Sequence, residues 1–173
     1  MIDCKKFYNA FLELQLDFFS GVPDSLLRNF CSYVTQHTPS SRHLITANEG
    51  SAIALAAGYH LSTGKSGVVY MQNSGLGNAV NPLTSLTDSD MYGIPLLMLI
   101  GWRGEPGIKD EPQHFKQGLI TLPLLQTLGV PYEVLTPDTD TAIQALKRLV
   151  KKIYKKNSPC ALVVRKNSFA PVK

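Results

Sequence analysis

Leu96-Leu97-Met98-Leu99-Ile100, closed by Gly101-Trp102, is a run of five large apolar side chains with no polar residue alternating among them. Successive side chains of a strand point to opposite faces, so a strand of this kind needs cover on both. That is the situation of a parallel sheet flanked by helices, and not of an antiparallel sheet with one wet face. Outward from this run, other short β-rich stretches alternate with longer stretches of helical period, and Gly, Pro, Asn or Asp marks most junctions. Strands are expected at Asp17 to Val22, His43 to Ala47, Gly67 to Gln72, Leu96 to Trp102, Tyr132 to Leu135 and Cys160 to Arg165. Helices are expected near Lys5 to Leu14 and at Asp24 to Tyr33, Glu49 to Ser62, Gly77 to Ser89, Leu119 to Leu128 and Thr139 to Tyr154. The expected fold is an α/β three-layer α/β/α sandwich with a mostly parallel six-stranded sheet. It occupies residues 1–165, with 166–173 as a tail or linker. The long segment Gly101 to Gly118, rich in Gly, Pro and charge, reads as a lid or binding loop.

The chain has 173 residues, 44% of them hydrophobic and 17% charged, which suits one globular domain and excludes disordered, collagen-like and coiled-coil classes. Its net charge of +4 is local: Lys147, Arg148, Lys151, Lys152, Lys155 and Lys156 supply six of the 17 basic residues. They alternate with Ala142, Ile143, Leu146, Leu149, Val150 and Ile153 at helical spacing, the pattern of a solvated helix face, so no nucleic-acid partner is expected. Cys4, Cys31 and Cys160 are odd in number and widely spaced, which argues against a disulfide framework or a zinc site and for a reducing compartment. With no apolar leader, and Ile94 to Ile100 as the longest apolar run, no membrane partner is expected and the setting is cytoplasmic.

Three familiar motifs nearly fit and fail. Gly58 to Ser66 resembles a phosphate-binding loop, but five residues separate its glycines, and Gly64 ends a helix before a strand instead of leading from strand to helix. Gly75-Leu76-Gly77-Asn78-Ala79-Val80 lacks the third glycine of a dinucleotide fingerprint, and the next strand closes on Gly101-Trp102 without an acid. Ser74 sits at a strand-to-helix turn, but its flanks lack the G-x-S-x-G pattern of a hydrolase elbow.

Ala47-Asn48-Glu49-Gly50 leads into Ser51-Ala52-Ile53-Ala54-Leu55-Ala56-Ala57-Gly58, placing a carboxylate at the first turn of a helix made of small and apolar residues. Such a helix is expected to be buried. Glu49 either complements the helix dipole behind an Asn48 cap or carries a proton, since the helix terminus favours its charged form and an apolar setting its neutral form.

Four separated motifs in order carry a resemblance over nearly the whole chain: Ser20-Gly21-Val22-Pro23-Asp24-Ser25, Ala47-Asn48-Glu49-Gly50, Gln72-Asn73-Ser74-Gly75-Leu76-Gly77-Asn78 and Gly101-Trp102-Arg103-Gly104-Glu105-Pro106-Gly107. Together with the narrower Asp110-Glu111-Pro112-Gln113-His114, they resemble the N-terminal, pyrimidine-binding domain of thiamine diphosphate-dependent decarboxylases, most of all the branch acting on phosphono- or sulfopyruvate. The resemblance implies that Glu49 is catalytic and cofactor-binding. In such enzymes a glutamate hydrogen-bonds N1′ of the aminopyrimidine, favours its imino tautomer and so lets the exocyclic nitrogen take the thiazolium C2 proton, while the cofactor serves as electron sink. Asn73, Ser74 and Gly75 are implied at the aminopyrimidine. Ser20, Asp24, Ser25, Arg103 and His114 are implied at the substrate, a small keto acid, with Asp24 or Ser25 alternatively a helix cap. A substrate with two acid groups needs several donors, for which Arg28, Lys109 and Lys116 are further candidates.

The family's Gly-Asp-Gly for the metal and diphosphate occurs nowhere in the chain, and the acid pairs Asp88/Asp90 and Asp110/Glu111 read as solvated or turn residues. No metal ligand is therefore expected here. Thiamine diphosphate would be shared with a diphosphate-binding domain or subunit that holds Mg2+, in a homo- or hetero-oligomer. The implied reaction takes phosphonopyruvate to phosphonoacetaldehyde and carbon dioxide. A sulfopyruvate decarboxylase α subunit and a non-catalytic α/β binding domain are the alternatives.

Overall fold

The computed structural model describes residues 1–172. Six strands, β1 (Phe19–Gly21), β2 (His43–Ile45), β3 (Gly67–Gln72), β4 (Leu96–Gly101), β5 (Tyr132–Leu135) and β6 (Cys160–Val164), form one sheet in the order β2-β1-β3-β4-β6-β5. All neighbours run parallel, and β3 and β4 pair in register from Gly67 with Leu96 to Gln72 with Gly101. The helices are α1 (Cys4–Glu13), α2 (Arg28–His37), α3 (Glu49–Thr63), α4 (Leu76–Pro82), α5 (Pro112–Thr127) and α6 (Thr139–Lys156).

The apolar run Leu96–Ile100 divides its side chains between the two faces of the sheet as predicted. Leu97 and Leu99 join Val68, Tyr70, Leu162 and Val164 in a core closed by α1, α2 and α6. Leu96, Met98 and Ile100 join Val69, Met71, Ala161 and Val163 in a second core closed by α3, α4 and α5. All five are fully buried, each contributing about 1.5–3 kcal/mol of transfer free energy. The division follows from handedness. Crossovers toward the β2 edge carry α2 and α6, those toward the β5 edge carry α3, α4 and α5, and right-handed connections put the two sets on opposite faces.

Gly64 caps α3 in the left-handed region at φ 73°, its N–H donating to His60 O at 2.7 Å, as expected of a helix end and unlike a phosphate loop. On α6 Ala142, Ala145, Leu146, Leu149, Val150 and Ile153 are buried, Ile143 is half-buried and the lysines are exposed, with Arg148 forking onto Glu133. No described helix is long and apolar enough to cross a membrane.

Five expectations need correction. The irregular segment after β4 is shorter than Gly101 to Gly118, because Pro112 starts α5 with its φ already helical and no N–H to satisfy. Gly118, read as a loop residue, lies inside α5, where the Gly104 carbonyl oxygen would stand 1.6 Å from any Cβ. Helix α2 begins at Arg28 and not Asp24, since residues 24–27 form turns first. Helix α3 is buried only along Ala52, Ile53, Ala56 and Ala57, whereas Ala54, Leu55, Gly58 and Leu61 are exposed on its outer side, away from the sheet. The segment set aside as a tail also packs on the domain: Phe169 is buried against Phe7 and Phe30, and Ile2 bridges to it.

Candidate functional site

The carboxyl ends of β1 and β3 are adjacent, yet β1 feeds a helix on one face and β3 a helix on the other. The departing chains part there, leaving the crevice where open α/β sheets take ligands. The turns after β1, β2, β3 and β4 all gather on this edge.

After β2, Asn48 takes the cap of α3, its Oδ1 accepting from Gly50 N at 2.7 Å and Ser51 N at 3.3 Å. The capping work is thus done without Glu49. The Glu49 carboxyl is half-buried and turns toward the β3–α4 connection, where Oε2 accepts from Asn78 Nδ2 at 2.8 Å. Gly75 forms its wall: a Cβ there would come within 2.4 Å of Glu49 Cγ, Cδ and Oε1. One carboxylate oxygen is therefore fixed by an amide donor at the mouth of a positive helix end. Asn78 was part of the quoted motif but carried no assigned role; α4 sets it opposite the α3 terminus, a pairing invisible in sequence spacing.

After β3, Asn73–Gly75 makes a single 3-10 turn into α4. Asn73 is 1% exposed and its amide is spent inside the chain. Nδ2 donates to Arg103 O and to Thr121 Oγ1, both at 2.8 Å, and Oδ1 accepts from Arg103 N at 3.2 Å. This side chain ties β3 to the β4 loop and to α5, so any ligand contact at this position falls to the backbone of the turn. Ser74 is half-buried, with Gln72 Nε2 donating to its Oγ at 2.7 Å.

After β1, Asp24 is 5% exposed, and its Oδ2 accepts from Leu26 N at 3.0 Å. It caps a turn and not the helix, whose own N-cap position, Leu27, supplies no side-chain bond. The carboxyl presses on Gly101, where a Cβ would stand 2.0 Å from Oδ2. Burial pushes Asp24 above the ordinary carboxylate range, against the pull of the Leu26 and Leu27 N–H groups and of Arg103. Its neighbour Ser25 is exposed and accepts at Oγ from Arg103 Nη1 at 2.9 Å. Asp24, Ser25 and Arg103, three expected substrate residues, are therefore together.

Ser20 is not with them. It is fully buried, and its hydroxyl donates to Ala52 O at 2.9 Å, because strand alternation turns it under α3; this removes it as a substrate ligand. His114 lies in the first turn of α5, half-buried, with its carbonyl oxygen packed on Gly104. Asp110, read as a turn residue, is instead the ion-pair partner of Arg103, whose guanidinium holds its carboxyl well below the usual range. Arg28 makes no ion pair among the described residues, and it lines a cavity of about 340 Å³ with Pro23, Asp24, Ser25, Ile45 and Tyr70. Cys4 and Cys160 are buried and Cys31 is half-buried; burial pushes the thiols of Cys4 and Cys160 up to about 11 and that of Cys31 up to about 12.

Comparison with known proteins bears on this edge. A family model described as "Thiamine pyrophosphate enzyme, N-terminal TPP binding domain" matches residues 7–123. The chain is 43% identical over 121 residues to a phosphonopyruvate decarboxylase of Streptomyces viridochromogenes, a match covering 70% of this chain and 30% of that protein. Against a sulfopyruvate decarboxylase subunit alpha of Methanococcus maripaludis the identity is 31% over 158 residues, covering 91% of this chain and 90% of that subunit. The benzoylformate decarboxylase of Polynucleobacter necessarius superposes with a TM-score of 0.73 at 20% identity, over 98% of this chain and 31% of its own, which is a likeness of fold. The chain thus spans under a third of the phosphonopyruvate decarboxylases it matches and nearly all of a separate α subunit.

Proposed function

We propose, since the chain belongs to the thiamine pyrophosphate enzymes as an N-terminal TPP binding domain, that it is the pyrimidine-binding half of a 2-keto acid decarboxylase. The observation that carries this reading is Glu49: a half-buried carboxyl at a helix N-terminus, relieved of capping by Asn48, held by Asn78 and given its space by Gly75. Such a group suits N1′ of an aminopyrimidine, where it would hold and move a proton while its second oxygen stays anchored. Bound thiamine diphosphate would supply the electron sink for loss of carbon dioxide. The Asn73–Gly75 turn would present its backbone to the pyrimidine edge. On this reading Mg2+ and the diphosphate would be held by a partner subunit or domain, a division of labour supported by the match over most of a sulfopyruvate decarboxylase alpha subunit. The uncovered small and apolar side of α3, with Leu55 and Leu61 outward, supports association with such a partner in an oligomer. The setting is cytoplasmic.

The substrate favoured is phosphonopyruvate. Sulfopyruvate is the second reading, supported by the match over 90% of a separate α subunit. Either substrate carries two acid groups and calls for a cationic donor not already paired. Arg28, beside Ser25 at the mouth of the cavity, fits that need better than Arg103.

The test is Glu49→Gln in the chain assembled with a diphosphate-binding subunit, thiamine diphosphate and magnesium. The amide keeps the size and a hydrogen bond, so folding and assembly persist. Exchange of the thiazolium C2 proton, followed by NMR in deuterated buffer, and turnover of both keto acids fall by about two orders of magnitude. Near-normal exchange would end the catalytic reading of Glu49.

A further inference from the structure

The geometry points to Asp110 as a positioning residue: it holds the Arg103 guanidinium across the end of β4 and, through it, the Ser25 hydroxyl of the β1–α2 turn. This rests on the decarboxylase reading for the purpose of the fixed hydroxyl, while the clamp itself rests on contacts alone.

Asp110 accepts four N–H groups. Arg103 Nε donates to Oδ2 at 2.8 Å, Arg103 Nη2 donates to Oδ1, Gly104 N donates to Oδ2 at 2.8 Å and Glu111 N to Oδ1 at 2.9 Å. Both side chains are largely withdrawn from water, at 18% exposure for Arg103 and 10% for Asp110, so the fork is neither a loose surface pair nor an isolated buried charge. The backbone on which Arg103 stands is gripped on both sides of its peptide group by Asn73, which α5 holds in turn through Thr121. Gly104, at φ 68°, turns the chain so that its N–H faces the same carboxylate. The segment from 103 to 110 is therefore closed on itself at its neck, from which Glu105 reaches Arg165 and Arg103 reaches the β1–α2 turn. The remaining arm of Arg103, Nη1, reaches Ser25 Oγ at 2.9 Å.

Two consequences separate this role from anion binding. The Nε–Nη2 edge, which would grip a carboxylate or phosphonate with two parallel bonds, is already taken by Asp110. The buried Asp24, one residue from Ser25, has an Oδ1 without a hydrogen-bond partner among the described residues, so a guanidinium freed from Asp110 has a second carboxyl within the same cluster to turn to. Asp110 keeps Arg103 on Ser25 by holding its fork elsewhere.

The test uses Asp110→Asn and, independently, Arg103→Lys, which keeps the charge and loses the fork. In the chain by itself, hydrogen exchange at the Leu26 and Leu27 amides, bonded within the β1–α2 turn, speeds up by about tenfold or more although position 110 lies far away in sequence. In the assembled enzyme, turning over phosphonopyruvate and sulfopyruvate, both variants raise KM by about tenfold or more and change kcat less, and Asp110→Glu recovers most of the loss. Unchanged exchange at Leu26 and Leu27, or an unchanged KM in a folded variant, overturns the inference. If Asp110→Asn does not fold, Arg103→Lys decides by the same two measurements. If the unaltered chain turns over neither acid with any diphosphate-binding subunit, the decarboxylase reading falls, and the amide exchange alone rules for or against the clamp.

Discussion

Gly75→Ala separates the placement of Glu49 from the stability of the fold. Gly75 sits at φ −69° and ψ −14°, where alanine is at ease, so the backbone does not resist the change. Removing a glycine from a helical stretch relieves about 0.5–1 kcal/mol of chain entropy. The new methyl, however, would stand 2.4 Å from Glu49 Cγ, Cδ and Oε1, whereas non-bonded carbon atoms settle about 3.5–4.0 Å apart. The carboxyl must retreat by roughly 1 Å or more, and because Glu49 is half-buried it can do so toward solvent. The retreat costs the bond from Asn78, an exposed one worth about 0.5–1.5 kcal/mol. The two stability effects oppose each other, leaving a net change within about 1 kcal/mol. The functional effect has no such compensation: a proton-handling group displaced by about 1 Å loses on the order of a hundredfold in rate. Denaturation of the chain, read by the fluorescence of Trp102, its single tryptophan, gives the first quantity. Deuterium exchange at thiazolium C2 in the assembled enzyme gives the second. Exchange close to wild type in a folded Gly75→Ala would refute the placement of Glu49 argued from this contact.

Gly101→Ala makes the opposite case. Its methyl would meet the buried Asp24 Oδ2 at 2.0 Å with Leu26 behind it, so urea denaturation should show a loss of about 1–3 kcal/mol. Asn73→Ala strips partners from the Arg103 peptide group and the Thr121 hydroxyl, and the same measurement should show a loss of about 2–4 kcal/mol. Asp24→Asn tests a pH dependence. The folded chain favours protonated Asp24, so this residue's contribution to stability is fully present below the ordinary aspartate value of about 4 and is lost as pH rises through its raised folded value. Tm measured across that window should fall less steeply with rising pH in the Asn variant than in wild type. Parallel profiles would show that Asp24 is not desolvated in the fold.

The pattern of side chains was enough for the sheet, because burial on two faces leaves a mark in every residue: β4 and β6 are apolar without alternation, and α6 divides cleanly into a wet and a dry side. The end of α3 at Gly64 and the position of Glu49 at its start were equally legible, since caps and turn glycines are local chemistry. Helix α5 was misjudged from 112 to 118 because Gly118, a residue that usually breaks a helix, is kept there by a contact with Gly104 that no local rule foresees. The site divides in the same way. Which residues end which strand follows from the chain order, but it was the resemblance to thiamine diphosphate-dependent decarboxylases that nominated Glu49, Asn73–Gly75, Asp24, Ser25 and Arg103 together. Which way each side chain turns did not follow. Ser20 goes under α3, Asn73 is consumed in holding the Arg103 backbone, Asn78 crosses to Glu49, and Asp110, discounted as a surface acid, takes the guanidinium expected for the substrate. Local periodicity fixes the face of a strand or helix on which a residue lies. Partners drawn from the ends of different strands, 29 residues apart for Glu49 and Asn78 and 78 apart for Ser25 and Arg103, meet only once the sheet has set those ends side by side.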